Sequence, residues 1–272
     1  MSNTTLYPKL EENQLCFDHK ELFINKLPHP LAKSYFCMLN HSGQRRFSYF
    51  LELIELTLGF YYAIFTAAKD LDFPEGKLSL GQLLFSLQNI LDCKENSPKL
   101  NILKQGFKQN CSCFRKLIKL RNRTWGHSKV RTETDYDHHY LLNLSLLNQV
   151  LEPLLNFGQD YFVIEGIISF RKKMVLIKAF KFLGFSPFGK REIISLAYEF
   201  DQLKRNQVFL KNDELILDLS KWQRFDYCEV CHLDSFFIFQ DSFKRKESLI
   251  SVFSCVNCGS RKVINFKEKL DK

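Results

Sequence analysis

The C-terminal quarter of the chain contains two Cys-x-x-Cys pairs separated by 23 residues: Cys228, Cys231, Cys255 and Cys258. A pair with this spacing forms a tight turn that directs two thiolates at one point, and four thiolates complete the tetrahedral coordination of a structural Zn²⁺ ion. Strand-like segments at 235–239 and 249–253 lie between the pairs, and Gly259 follows the second pair. The sequence therefore predicts a zinc ribbon over residues 222–268 with one bound Zn²⁺.

Four thiolate ligands leave no coordination position for a water molecule, so the pattern predicts a structural ion rather than a catalytic one. A disulfide or a redox pair is the alternative interpretation of each Cys-x-x-Cys. The chain has nine cysteines, and an odd number fits poorly with a fully paired disulfide framework. The other five are expected to be small, buried hydrophobic residues: Cys16, Cys37, Cys93, Cys111 and Cys113.

The character of the sequence changes near residue 158. Apolar residues recur every three or four positions before this point, whereas β-branched and aromatic residues dominate after it. We therefore predict an α+β protein, with a helical domain over residues 1–157 and a smaller β-rich domain over residues 158–272 that includes the ribbon.

The helical part is expected to contain four main helices after an irregular stretch over residues 1–46. They are an amphipathic run from Phe47 to Phe65, a helix opened by a capping box of Ser79 and Gln82, a helix from about Leu100 to Thr124, and a Leu-rich helix capped by Asp137. Pro153 is expected to kink or shorten the last helix. The segment 191–203 is ambiguous, because its apolar residues also fit one side of a short helix.

The positive charge of the chain is concentrated in one segment. The net charge is +9, yet residues 96–131 contain no Asp or Glu, and the rest of the chain is close to neutral. Clustered cations are typical of proteins that bind a polyanion, because neutralised phosphates release counterions; a solvated helix face is the alternative. The ten basic residues are Lys99, Lys104, Lys108, Arg115, Lys116, Lys119, Arg121, Arg123, Lys129 and Arg131.

Composition and hydropathy favour a cytoplasmic protein without a membrane span. With 45% hydrophobic residues the chain has too much apolar material for a disordered protein. The apolar run Leu56–Ala68 has about two-thirds of the length that a membrane helix needs. The first residues lack the basic region and apolar block of a secretory signal.

Arg121 occupies an unexpected position on the predicted third helix. The apolar stripe of that helix reaches Arg121 where another leucine would be expected, and a guanidinium facing a core needs a partner or an opening. Gly126 is a natural helix terminator, so a chain that turns back there brings His127 towards Arg121. An imidazole that titrates near neutral pH beside a permanent cation suits RNA cleavage, with His127 moving protons and Arg121 stabilising the phosphate charge.

The segment Leu120-Arg121-Asn122 followed by His127 resembles the Arg-x4–6-His signature of the HEPN superfamily, in which Asn often follows the Arg. The helix order around it is also similar over roughly residues 28–157. The resemblance implies a dimeric bundle of four to five helices, with Arg121 and His127 catalytic and Asn122 orienting. Glu52 and Glu55 either support this site or lie on an ordinary exposed face, which is the expectation we favour.

The resemblance implies a metal-independent endoribonuclease, acting as a toxin or effector in bacterial stress or antiviral defence. RNA, a second copy of the chain, and an antitoxin or defence-system protein are the implied partners. An inactive bundle that senses RNA or nucleotide, or recruits a partner, is the alternative. In a third interpretation the ribbon binds DNA.

Two further groups of residues have competing interpretations. Basic and aromatic residues of the ribbon form either a nucleic-acid surface or, as we favour, a small core with a solvated edge; they are Phe236, Phe237, Phe239, Lys244, Arg245, Lys246, Arg261 and Lys262. His138 and His139 are expected to be residues of the first helical turn after Asp137 rather than ligands.

Overall fold

The computed structural model of the protein describes most of the chain, and the structural statements below concern those residues. They are residues 20–71, 76, 78–91, 97–125, 132–157, 160–171, 174–197, 203–213, 215–245 and 248–267. Helices precede strands along the chain, which confirms the predicted α+β class. The helices end at Phe157 and the first strand begins at Asp160, on either side of the predicted change near residue 158.

Seven helices and nine strands lie within the described ranges. The helices are α1 (20–26), α2 (His29–Leu39), α3 (Gly43–Ala68), α4 (Leu80–Leu91), α5 (Pro98–Gln109), α6 (Cys111–Trp125) and α7 (Glu133–Phe157). The strands are β1 (Asp160–Arg171), β2 (Met174–Lys181), β3 (Lys190–Ala197), β4 (Val208–Lys211), β5 (Ile216–Asp218), β6 (Gln223–Cys228), β7 (Leu233–Arg245), β8 (Ser248–Cys255) and β9 (Arg261–Lys267).

The long helix α3 forms the centre of the helical bundle. It runs parallel to α7, since Gly43 N donates to Asp137 Oδ1 at 3.0 Å and the Tyr61 hydroxyl donates to Val150 O at 3.0 Å. It runs antiparallel to α6, so the end of α6 lies beside the middle of α3. The stretch 20–46, predicted to be irregular, instead contains α1, α2 and the start of α3.

The predicted third helix is two helices, because Asn110 interrupts it. The Asn110 side chain donates to Gly106 O at 3.0 Å and to Gln149 O at 2.9 Å, which ends α5 and ties it to α7. Its own carbonyl accepts from Phe114 N at 3.0 Å, so α6 begins at once. A side chain that competes for backbone groups can end a helix without glycine or proline.

Helix α7 begins earlier and ends later than predicted. Its cap is Thr132, whose hydroxyl accepts from Asp135 N at 3.2 Å while the Asp135 carboxylate accepts from Thr132 N at 2.9 Å. Asp137 is therefore an internal residue rather than the cap. The helix also continues through Pro153 to Phe157. The predicted capping box of α4 is confirmed, with Ser79 and Gln82 bonded reciprocally at 2.9 and 3.3 Å.

Two antiparallel sheets form the second part of the protein. The first has the strand order β3-β2-β1-β4-β5 and the second has the order β6-β7-β8-β9. Lys190–Ala197 is a strand paired along its length with β2, so the short helix considered for this segment is wrong. Asn212 and Asp213 lie in the connection between β4 and β5, where Asn212 N donates to Leu215 O at 2.9 Å.

One hydrophobic core extends across the junction between helices and strands. Tyr161 and Val163 of β1 pack with the helices, as does Phe236 of β7, whereas Phe162 and Ile164 point to the opposite side of their sheet. The ribbon has a separate small cluster formed by Cys228, Phe237, Phe253 and Cys255. The two parts of the chain are therefore packed together by shared apolar contacts.

Helix α3 is long and apolar enough to cross a membrane. However, 72% of its most apolar stretch is buried inside the protein. It has the burial of a core helix, consistent with its central position in the bundle.

Candidate functional site

The four C-terminal cysteines converge on one point. Their sulfur atoms all lie within 4.8 Å of one another. The distance from Cys228 Sγ to Cys258 Sγ is 3.5 Å, and that from Cys231 Sγ to Cys255 Sγ is 3.9 Å. A tetrahedron with metal–sulfur bonds of about 2.3 Å has edges of about 3.8 Å, so these distances fit one metal ion. They are far too long for disulfide bonds, which measure about 2.05 Å.

The two Cys-x-x-Cys turns, here called the first knuckle and the second knuckle, have the same backbone form. In the first knuckle His232 N donates to Cys228 O at 2.9 Å, and in the second Gly259 N donates to Cys255 O at 2.8 Å. Both residues are in the left-handed region, with φ of 55° and 72° respectively. Gly259 is suited to this conformation, whereas at His232 the backbone turn imposes it on a residue with a side chain.

Polar groups around the sulfurs suit thiolate ligands. Ser260 Oγ lies 3.2 Å from Cys228 Sγ and 3.1 Å from Cys258 Sγ. Contact with Ser260 lowers the pKa of Cys258. Asn257 N points to Cys255 Sγ at 3.4 Å. The donor set therefore fits a metal that prefers sulfur, as zinc does.

Arg121 lies in the last turns of α6 and faces α3. Its Nε donates to Glu55 Oε1 at 2.7 Å, and its Nη1 donates to Asn122 Oδ1 at 3.4 Å. The Arg121 side chain is 29% exposed and that of Glu55 is 38% exposed. The guanidinium thus has the partner that its position in the sequence requires, and part of it remains accessible from solvent.

Glu52 and Glu55 lie one turn apart on α3, and both differ from the exposed surface residues we expected. Glu52 is half-buried and accepts a hydrogen bond from Ser34 Oγ at 3.3 Å. Burial raises the pKa of the Glu52 carboxyl, and the nearby Glu55 raises it further. Two acidic residues therefore lie between α2 and Arg121.

His127, the second predicted catalytic residue, lies outside the described residues, as do Lys129 and Arg131. Its approach to Arg121 remains a prediction. Asn122, the predicted orienting residue, is exposed and contacts Arg121.

A groove lies between α4 and α6, and Arg121 is not among the residues that line it. The groove encloses about 400 Å³, with Leu84 and Ile118 on its apolar floor. Three basic residues line the groove: Arg115, Lys119 and Arg123. Within the described ranges, these three side chains form no ion pair. A groove with cationic walls suits a ligand that carries phosphate. Its remaining lining residues are Gly81 and Asn122.

The alternative interpretation of the ribbon, an aromatic nucleic-acid surface, is wrong at two of its three phenylalanines. Phe236 and Phe237 are each only 2% exposed, Phe236 in the shared core and Phe237 in the ribbon cluster. Lys262 is paired with Asp226. The favoured interpretation, a small core with a solvated edge, agrees with these contacts.

The remaining cysteines and histidines are also placed by the structure. Cys113 is buried as expected, whereas Cys37 and Cys111 are only partly buried, and Cys16 and Cys93 lie outside the described residues. His138 and His139 lie in the second turn of α7 because that helix begins at Glu133.

Lys33 was not predicted to have a role, yet its Nζ donates to Val256 O in the second knuckle at 3.3 Å. Nothing in the spacing of an isolated lysine on α2 indicates a partner more than 200 residues later. Comparison with known proteins adds no further residue, because no protein-family model, no curated protein and no solved structure matches this chain.

Proposed function

We propose that the protein is a metal-independent endoribonuclease of the HEPN type that acts as a homodimer and carries a structural zinc ribbon. The observation that supports this most strongly is the position of Arg121. A guanidinium held by Glu55 and partly accessible lies near the end of the most basic helix, and other residues of the same helix line a cationic groove. These features suit a substrate with a phosphodiester backbone.

In this proposal Arg121 contacts the scissile phosphate and stabilises the charge that develops on it. His127 takes the 2′-hydroxyl proton or protonates the leaving oxygen, and the second copy supplies the other group across a two-fold axis. Asn122 orients Arg121. The four-cysteine centre would hold one Zn²⁺ through Cys228, Cys231, Cys255 and Cys258, which stabilises the fold of the ribbon and has no part in the cleavage step.

The biological setting we propose is bacterial stress or antiviral defence, with the protein as a cytoplasmic toxin or effector restrained by an antitoxin or another defence protein. This setting is supported only by the resemblance of the Arg121 to His127 segment to HEPN toxins.

The test is cleavage of single-stranded RNA by the full chain during a brief exposure to EDTA. Arg121→Ala and His127→Ala should each reduce cleavage by at least about 100-fold, the lower end of what one general acid–base or oxyanion group supplies. Lys26→Ala is the control, because Lys26 is an exposed lysine on α1, outside the basic segment 96–131, and does not line the groove. It should retain nearly full activity. Equal cleavage by wild type and His127→Ala would exclude the catalytic assignment.

The contact between Arg121 Nε and Glu55 favours a second candidate function, a silent RNA- or nucleotide-binding module that recruits a partner. A carboxylate already bound to the guanidinium competes with phosphate, and an acid there weakens transition-state stabilisation. This candidate predicts salt-dependent RNA binding without cleavage, unchanged by His127→Ala.

A further inference from the structure

The groove between α4 and α6 has one charged wall and one uncharged wall. The wall formed by α6 carries three exposed cations, Arg115, Lys119 and Arg123, at intervals of four residues. Residues four apart share a face of a helix, so these cations form a row about 12 Å long. The helix that forms the other wall, Leu80–Leu91, contains no charged residue. A row of this length is longer than one phosphate group and suits the extended backbone of a polyanion.

Phe85 is an exposed aromatic residue on α4, with 65% of its surface accessible. It lies one turn after Gly81, which lines the groove, so both residues are on the same face of α4. Helices α4 and α6 are antiparallel here, because Gln88 Nε2 lies 3.9 Å from Cys111 Sγ at the start of α6, whereas Gly81 lines the groove together with residues near its end. Phe85 lies between Gly81 and Gln88 along α4, and it is therefore alongside the row of cations.

Charge and exposure together indicate which occupant fits this groove. In a two-fold dimer formed through this face, the same row of cations would approach from both copies, and like charges across an interface repel. A nucleic acid neutralises the row instead. Cationic grooves with aromatic side chains are typical of proteins that bind single strands, because an unpaired base can stack on the aromatic ring.

Asn122 connects the groove to the candidate catalytic residue. It lines the groove, and its Oδ1 accepts a hydrogen bond from Arg121 Nη1 at 3.4 Å. A strand bound in the groove would therefore contact the residue that holds one side of the Arg121 guanidinium.

We propose that the groove is a binding track for single-stranded nucleic acid. In this track Arg115, Lys119 and Arg123 contact backbone phosphates, and Phe85 stacks on a base. These residues position the strand and do not contact the bond that is cut. That the strand is the RNA to be cleaved rests on the proposed function, whereas the binding itself does not.

Two variants of the full, zinc-loaded chain separate the two kinds of contact. Lys119→Ala removes one cation of the row, and Phe85→Leu keeps an apolar side chain but removes the aromatic ring. Both residues are exposed, so neither change should unfold the protein. Each variant has a matched control: Lys26→Ala changes an exposed lysine on α1, and Phe188→Leu changes a phenylalanine, 85% exposed, between β2 and β3.

Binding is measured by fluorescence anisotropy with a short 2′-O-methyl oligouridylate, which has no free 2′-hydroxyl group and cannot be cut by the proposed mechanism. Phe85→Leu should weaken binding at least about 5-fold, as loss of one base–aromatic stack does. It should leave the binding of a duplex unchanged, because paired bases are not free to stack on the ring. Lys119→Ala should reduce the slope of log K against log salt by about 0.7, the effect of one lost phosphate contact. Phe85→Leu should keep the wild-type slope, and both controls should match wild type.

Three results would overturn the inference. The first is wild-type affinity of Phe85→Leu for the single strand, and the second is an equal loss of affinity for single strand and duplex. The third is a changed oligomeric state of Phe85→Leu in size-exclusion chromatography, which would identify Phe85 as a contact between copies of the chain.

A measurement of cleavage joins the inference to activity. Phe85→Leu should raise KM for unmodified single-stranded RNA by about the factor that it weakens binding, and it should leave kcat nearly unchanged. An unchanged KM would contradict a role of the track in holding the substrate. Absence of cleavage by the wild-type protein would instead overturn the proposed function, while the anisotropy measurements still decide the role of the groove.

Discussion

At the scale of single residues, the backbone conformation directly after the second knuckle favours glycine at position 259. Gly259 has a φ of 72°, and a Cβ at this position would meet no atom of the described residues within 4 Å beyond its chain neighbours. The effect of substitution is therefore purely conformational. Gly259→Ala should lower the free energy of unfolding by about 1 kcal/mol, because a left-handed backbone is costly for residues with a Cβ.

Gly59 provides the matched control, since it lies inside α3 with equally open space. Gly59→Ala should raise the free energy of unfolding by up to about 1 kcal/mol, because alanine favours the helix. Urea unfolding of the zinc-loaded chains measures both effects. Changes of the same sign in the two variants would contradict this explanation.

His29 gives a prediction about pH at the same scale. Its ring lies 5.8 Å from that of Phe236, its Nδ1 lies 3.1 Å from Gly184 O, and burial lowers the pKa of His29 from 6.5 to about 4. Between pH 6.5 and pH 4, His29 binds a proton in the unfolded chain but not in the folded chain. This contribution of His29 to the stability of the fold is therefore complete above pH 6.5 and is lost as the pH falls towards 4.

The loss should reach about 3 kcal/mol near pH 4, since one pKa unit corresponds to about 1.4 kcal/mol. Unfolding free energies measured from pH 7 to pH 4 test this. His29→Gln, which cannot titrate, should show a flatter pH dependence. A variant as sensitive to acid as wild type would show that other groups cause the loss.

At the scale of secondary-structure elements, the packing of α5 against α7 depends on a close approach. A Cβ on Gly106 would lie 2.8 Å from Cβ and Cγ of Pro153. Gly106→Ala should therefore lower stability by about 1–3 kcal/mol, despite the better helix propensity of alanine. A melting temperature equal to or above that of wild type would show that α5 and α7 can move apart without loss of stability.

Local patterns predicted the elements better than their boundaries. The capping box at Ser79 was visible because both partners lie within four residues, and Gly259 marked its turn by residue type. The break at Asn110 depends on Gln149 of another helix, and the pairing that makes 190–197 a strand depends on β2. Those contacts are distant in the sequence, so periodicity alone could not show them.

For the candidate site, too, local sequence patterns indicated individual residues but not their distant contacts. The four cysteines that could hold a metal follow from their spacing, and the odd position of Arg121 implied a partner. The identity of that partner, Glu55, requires the antiparallel packing of α6 against α3. Lys33 carries no local signal at all, because its partners lie in the ribbon.

At the scale of the whole molecule, the ribbon has few apolar contacts of its own. Two of the four residues in its cluster, Cys228 and Cys255, also belong to the four cysteines that could hold a metal ion. Removal of zinc by prolonged chelation should therefore reduce amide hydrogen-exchange protection in β6–β9, while α3 remains protected by the shared core. Uniform loss of protection across both parts, or no loss in the ribbon, would contradict this expectation.

We propose that Arg121 and His127 cleave RNA by using its own 2′-hydroxyl group. The most direct measurement is the chemical nature of the ends produced from a defined single-stranded RNA by the full chain during a brief exposure to EDTA. We expect 2′,3′-cyclic phosphate and 5′-hydroxyl ends. Ends with 3′-hydroxyl and 5′-phosphate groups, or intact RNA, would contradict it.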